Sequence, residues 1–294
     1  MQHEYATING IRLHYVTAGS GSLMLFLHGF PEFWYAWTKQ LEEFSRDHRA
    51  VAPDMRGYNL SEKPESVEAY RAKHLIEDVR LLIEHLGGPP CVLIAHDWGG
   101  AVAWSFAAAH PEYLSHLVII NAPHPIPFAR ALRDDPEQIA ASQYMLLLRH
   151  PKAERVLSEN DYRRLANMLA ASADGRTGWP SATDLARYRE AWSQPGALTG
   201  ALNYYRASPL HPPAPDSPGA AALALDPRRF TVTVPTLVIW GERDQALRPV
   251  LLDGLHEVVP NMTVARIAEG THWVIHEHPD LVNRLIRRFI AAPA

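Results

Sequence analysis

Five short apolar runs restrict this chain to very few folds. They are Ser22–Phe30 (SLMLFLHGF), Arg49–Met55 (RAVAPDM), Cys91–Asp97 (CVLIAHD), His116–Pro123 (HLVIINAP) and Thr236–Asp244 (TLVIWGERD). None alternates apolar with polar residues, which is the pattern of strands buried on both faces. Helical periods lie at Ala69–Leu86 and Trp98–His110, with a later one at Asp280–Ala291. Strands that take turns with helices imply βαβ units and a mostly parallel sheet. In such a sheet the functional groups emerge beyond the carboxyl ends of the strands. Ahead of the runs, Tyr5–Ile8 and Ile11–Val16 alternate around Asn9-Gly10, the signal of a hairpin with a type I′ turn.

The alternation stops near Pro123. From His124 to about Phe230 the chain reads as helical, with segments at Arg130–Leu132, Ile139–Leu148, Asp161–Ala171 and Thr183–Trp192. His211–Ala221 is proline-rich and reads as a loop. Strand signals resume at Thr231. The expected organisation is an α/β core of residues 1–124 and 229–294, with residues 125–228 forming a helical cap over one end of the sheet.

Composition narrows the partners. The net charge is −4 and no long run of one sign occurs, so the chain carries no footprint for nucleic acid or an anionic membrane surface. No stretch approaches the ~18 apolar residues of a membrane span. The N-terminal segment MQHEYATINGIRLHYV has no apolar core of the kind a signal peptide needs. The single cysteine, Cys91, lies in an apolar run and cannot form an internal disulfide. A cytoplasmic location is expected. A homodimer is the candidate assembly.

The chemistry gathers where the third run meets a helix. Ala95-His96-Asp97-Trp98-Gly99 has the small-x-nucleophile-x-small pattern of a nucleophile elbow, with Asp97 where serine usually sits. The plain alternative is that Asp97 only caps the helix. A carboxylate nucleophile suits one kind of substrate. Attack on a saturated carbon makes an alkyl ester, which water can cleave at the enzyme's own carbonyl, whereas an ether from serine would be a dead end. Asp97 thus points to epoxides or alkyl halides. The second step needs a base, and His272 sits in the loop beyond an expected strand at Ala265–Ala268. Asp244, after the run Thr236–Trp240, is the better acid to orient it; Asn121 has no charge, and Glu242 is the local alternative. The backbone amides of Phe30 and Trp98 are the expected oxyanion donors. Phe30-Pro31 is a candidate cis bond. His28, Pro31 and Trp98 are expected to meet the substrate. His272 and His276 are four residues apart, but no H-E-x-x-H pattern accompanies them, and no metal or other cofactor is expected. His276 and His278 read as surface or helix-entry residues.

The set HGFPEFWYAW, APDMRGYNLSEKP, AHDWGG, WGERD and GTHWVIHEHP resembles the epoxide hydrolases of the α/β-hydrolase fold. The resemblance spans nearly the whole chain and is weakest in the cap. It implies an eight-stranded, mostly parallel sheet flanked by helices, with an inserted helical cap, and a triad of Asp97, Asp244 and His272. It also implies two lid tyrosines that protonate the epoxide oxygen. Tyr144 in ASQYMLLLRHP and Tyr205 in ALNYYRA match those positions, with Tyr204 in the place of the family's aromatic. The implied substrates are a small-molecule epoxide and water. Haloalkane and fluoroacetate dehalogenases are similar to this framework and are the alternative. The former often carry Asn where this chain has Phe30; the latter tend to have Arg in place of Trp98, and a His-Trp pair in place of Tyr144-Met145. An esterase would need serine at position 97. A binding module with a degenerate site would lack a member of the triad.

Overall fold

The computed structural model describes residues 1–170 and 178–292. Eight strands form one sheet: β1 (Gln2–Ile8), β2 (Ile11–Ala18), β3 (Leu23–Leu27), β4 (Arg49–Pro53), β5 (Cys91–His96), β6 (Leu114–Ile120), β7 (Thr236–Gly241) and β8 (Met262–Ile267). Their order across the sheet is β1-β2-β4-β3-β5-β6-β7-β8. β1 and β2 are antiparallel, and the pairings from β4 to β8 are parallel. The unbroken apolar runs become the buried centre: every residue of β3, β5 and β7 is buried. Asn9 and Gly10 turn the first hairpin with φ of 50° and 76°, as a type I′ turn requires. β8 is the far edge and half exposed, so Thr263 and Arg266 interrupt its apolar pattern.

The core helices are α1 (Thr38–Phe44), α2 (Ala72–His85) and α3 (Asp97–Ala109). Between β6 and β7 come α4 (Pro125–Asp134), α5 (Pro136–Ala141), α6 (Tyr144–Arg149), α7 (Ala153–Ala170), α8 (Ala182–Ser193) and α9 (Ala197–Ala207). Two short helices, α10 (Val274–Glu277) and α11 (Pro279–Ile290), close the chain. The stretch read as one helix over Ile139–Leu148 divides into α5 and α6. The helix read from Asp161 is the second half of α7, whose backbone leaves helical geometry at Glu159–Tyr162; Ala171, at the end of that reading, lies outside the described residues. α9 carries no separate helical reading in the sequence. Among the described residues no helix is long and apolar enough to cross a membrane.

Register lines up the carboxyl ends of the central strands. Leu27 pairs with Ala95, His96 with Ile120, and Ile120 with Ile239. The residues that follow these ends, Phe30, Asp97, Asn121, Asp244 and His272, therefore meet along one edge of the sheet.

Candidate active site

Asp97 begins where β5 gives way to α3. Its φ of 49° is in the left-handed region, a strained place for a residue with a side chain, and it swings the carboxylate out of the chain's path. The tight turn leaves no room around it. A Cβ on Gly29 would fall 2.3 Å from the Asp97 side chain, and one on Gly99 would fall 2.3 Å from the Leu27 carbonyl oxygen. The small residues of the elbow are thus demanded by contact.

The carboxylate has two distinct oxygens. Oδ1 accepts the Phe30 amide at 2.7 Å. Trp98 is the second residue of α3, where an amide has no partner within the helix. Oδ2 lies 3.6 Å from His272 Nε2. The opposite nitrogen of that ring, Nδ1, donates to Asp244 Oδ2 at 2.7 Å. Asp244 is buried and held on every side: Asn121 Nδ2 donates to Oδ2 at 2.8 Å, and the amides of Ala246 and Leu247 donate to Oδ1 at 2.9 and 2.8 Å. Burial alone would raise the Asp244 pKa, but His272 and these donors bring it below the usual carboxylate range. Burial alone would strip His272 of its proton, but the charges of Asp244 and Asp97 outweigh it and hold its pKa up at about 9.

Above Asp97 stand two phenols. Tyr144 opens α6 and Tyr205 lies near the end of α9. Their rings meet edge-on at 6.3 Å, and Tyr205 also meets the Trp98 indole edge-on at 5.0 Å. Burial and the nearby Asp97 carboxylate push both phenols well above the ordinary pKa of 10, so both stay protonated. All four residues line a cavity of about 230 Å³. A carboxylate, two proton donors and a base reaching the carboxylate from outside the wall can together open a strained C–O bond and then cleave an ester.

Three comparisons place this arrangement among known proteins. The chain matches the family described as alpha/beta hydrolase fold over residues 22–279. It is 38% identical to Epoxide hydrolase 4 of Mus musculus, covering 98% of this chain and 79% of that protein. It is 40% identical to the AB hydrolase superfamily protein YfhM of Bacillus subtilis, covering 98% and 97%. The fold superposes on the crystal structure of Bacillus megaterium epoxide hydrolase in complex with an inhibitor at a TM-score of 0.90 and 37% identity, covering 98% of this chain and 100% of that one. The chain belongs to the epoxide hydrolase family of the α/β-hydrolase fold.

Not every expected residue reaches the cavity of this epoxide hydrolase family member. Trp98 lines it, but His28 and Pro31 do not. His28 is fully buried and both its nitrogens are engaged: Nδ1 donates to the Gly29 carbonyl at 3.0 Å, and Nε2 accepts the Met55 amide at 3.0 Å. It ties the loop after β3 to the loop after β4. The Phe30–Pro31 bond is cis, and the Pro31 carbonyl accepts the Trp192 indole at 2.6 Å, so the chain here turns to α8. Glu242 pairs with Arg266, away from His272. Of the two histidines read as surface or helix-entry residues, His278 directly precedes α11, as a helix-entry residue would, while His276 lies inside α10 and is mostly buried. Its Nε2 donates to Glu32 at 2.6 Å and its ring stacks on Trp179.

Glu32 is the residue the sequence reading passed over. It is almost wholly buried and also accepts from Tyr188 Oη at 2.7 Å. Burial would neutralise it, yet His276 and His96 hold its pKa well below the usual range. His96 lies 3.4 Å from Glu32 and donates its Nε2 proton to the His272 carbonyl at 2.8 Å. Glu32 is tied to the segment after His272 through His276, four residues further on. Its signal was a carboxylate inside the aromatic run HGFPEFWYAW.

Proposed function

We propose that this chain hydrolyses epoxides to vicinal diols through an ester on Asp97, with residues 125–228 acting as a cap that brings Tyr144 and Tyr205 over the nucleophile. The observation that carries this reading is the pair of protonated phenols beside Asp97 in an apolar cavity. Asp97 Oδ2 attacks an epoxide carbon. The C–O bond breaks, and its oxygen takes a proton from a phenol rather than leaving as a bare alkoxide. Water then approaches His272, which accepts a proton at Nε2 as the hydroxide adds to the ester carbonyl. The negative charge collects on Asp97 Oδ1, held by the Phe30 and Trp98 amides. Collapse releases the diol with Oδ2 and regenerates the carboxylate, and the proton on His272 restores the phenol. Asp244 keeps the imidazole in its working tautomer.

The dehalogenase alternative fits less well. A halide leaves without a proton and needs N–H donors around it. Here the Trp192 indole donates to the Pro31 carbonyl, and two phenols rather than N–H donors flank Asp97 in the cavity.

The test is to replace the base and keep the nucleophile. His272→Gln mixed with styrene oxide is expected to accumulate protein heavier by one substrate mass, on the peptide that contains Asp97. If the folded variant carries no adduct, the ester mechanism is wrong.

A further inference from the structure

The wall of the cavity has a direction. On α3 it is formed by Asp97, Trp98, Ala101, Val102 and Ser105, one face of the helix at spacings of three and four. Eight residues at 1.5 Å each put Ser105 about 12 Å along the axis from Asp97. Helix α2 faces this stripe with Ala72, Leu75 and Ile76, again one helical face. Leu210, Leu223 and Leu225, from the segment between α9 and β7, complete the wall. Among the described residues, the space found toward Phe30–Phe33 and Trp192 is separate and of about 10 Å³, no more than a water would fill. Room for a substituent therefore lies on one side of the nucleophile.

The wall is also uncharged. Among the described residues Asp97 is its one carboxylate, and no Lys, Arg or His lines it. A charged group carried into the channel would lose its water and find no counter-ion.

We propose that the site takes uncharged epoxides bearing a single long apolar substituent on one oxirane carbon. The substituent lies along α3 from Ala101 to Ser105 and ends beside Ile76. This rests on the epoxide hydrolase reading above and adds to it which epoxides are turned over. Each methylene buried in the channel is expected to raise kcat/KM by roughly fourfold until the chain reaches Ser105.

The experiment compares 1,2-epoxybutane, 1,2-epoxydecane and 5,6-epoxydecane, the last dividing the same carbons between both sides. The wild-type protein is expected to favour 1,2-epoxydecane over 5,6-epoxydecane by at least roughly 30-fold in kcat/KM, because the second arm has no room. Ser105→Phe, which plugs the channel, is expected to lower the kcat/KM ratio of 1,2-epoxydecane to 1,2-epoxybutane by at least roughly tenfold. Ile76→Trp plugs it from the facing helix and carries the same expectation if the first variant does not fold. Equal turnover of the two decane epoxides, or an unchanged chain-length ratio in the folded variants, overturns the proposal. Failure of all three epoxides to give diol would instead overturn the epoxide hydrolase reading, and this proposal with it.

Discussion

Asp97 and His272 share more than a contact, because the charge of Asp97 helps to hold the proton on His272. While Asp97 is ionised, it and Asp244 overcome burial and hold the His272 pKa up at about 9. Esterification makes Asp97 neutral. In the proposed mechanism, one of the carboxylates that retained the proton is then lost, and the imidazole releases it more readily just when a base is needed. This sets the sign of the pH dependence. Breakdown of the ester requires neutral His272, so its single-turnover rate is expected to rise with pH and level off above an apparent pKa lower than about 9. Quenched samples read by intact-protein mass spectrometry would show the adduct persisting longest at the acid end. A breakdown rate that falls as the pH rises from 6.5 to 9 would remove His272 as the base.

At the scale of elements, the elbow depends on the close approach of β3 and α3. Gly99→Ala would set a Cβ 2.3 Å from the Leu27 carbonyl oxygen and 2.6 Å from that of His28. Both are backbone atoms that cannot swing aside, so a loss of about 1–3 kcal/mol in stability is expected, with a displaced Asp97 and slower ester formation. A wild-type melting temperature and rate would show that the turn is looser than described. The buried strands were the legible elements, because burial on both faces writes an uninterrupted apolar run. β8 was partly legible: its edge position admits Thr263 and Arg266, and only its second half stood out. Inside the insertion, periodicity could not reveal that Ser142-Gln143 divides α5 from α6, nor that positive φ at Asn160, Asp161 and Tyr162 breaks α7. Breaks of one or a few residues leave the apolar period on either side intact, so a local pattern does not record them. The candidate site divides in the same way. Asp97, His272 and Asp244 follow strand ends and were found by position. Tyr144 and Tyr205 came through family resemblance, and Glu32 and Asn121 matter through partners more than 100 residues away in sequence, His276 and Asp244 respectively.

Across the whole molecule, sheet order and the insertion do separate jobs. The order β3-β5-β6-β7-β8 gathers Asp97, the Phe30 amide, His272 and Asp244 along one edge. The segment between β6 and β7 contributes Tyr144 and Tyr205 to the cavity that α2 and α3 also line. Glu32 ties the two parts together, reaching Tyr188 of α8 and His276 of α10. The account stands on one claim about this assembly: the oxygen first added to the epoxide comes from the protein. A single turnover in ¹⁸O-labelled water, with enzyme in excess of 1,2-epoxydecane, tests it directly. The diol is expected to be unlabelled and the label to appear in the peptide containing Asp97. Label in the first diol, with none in that peptide, would mean that water attacks the epoxide itself and that Asp97 is not the nucleophile.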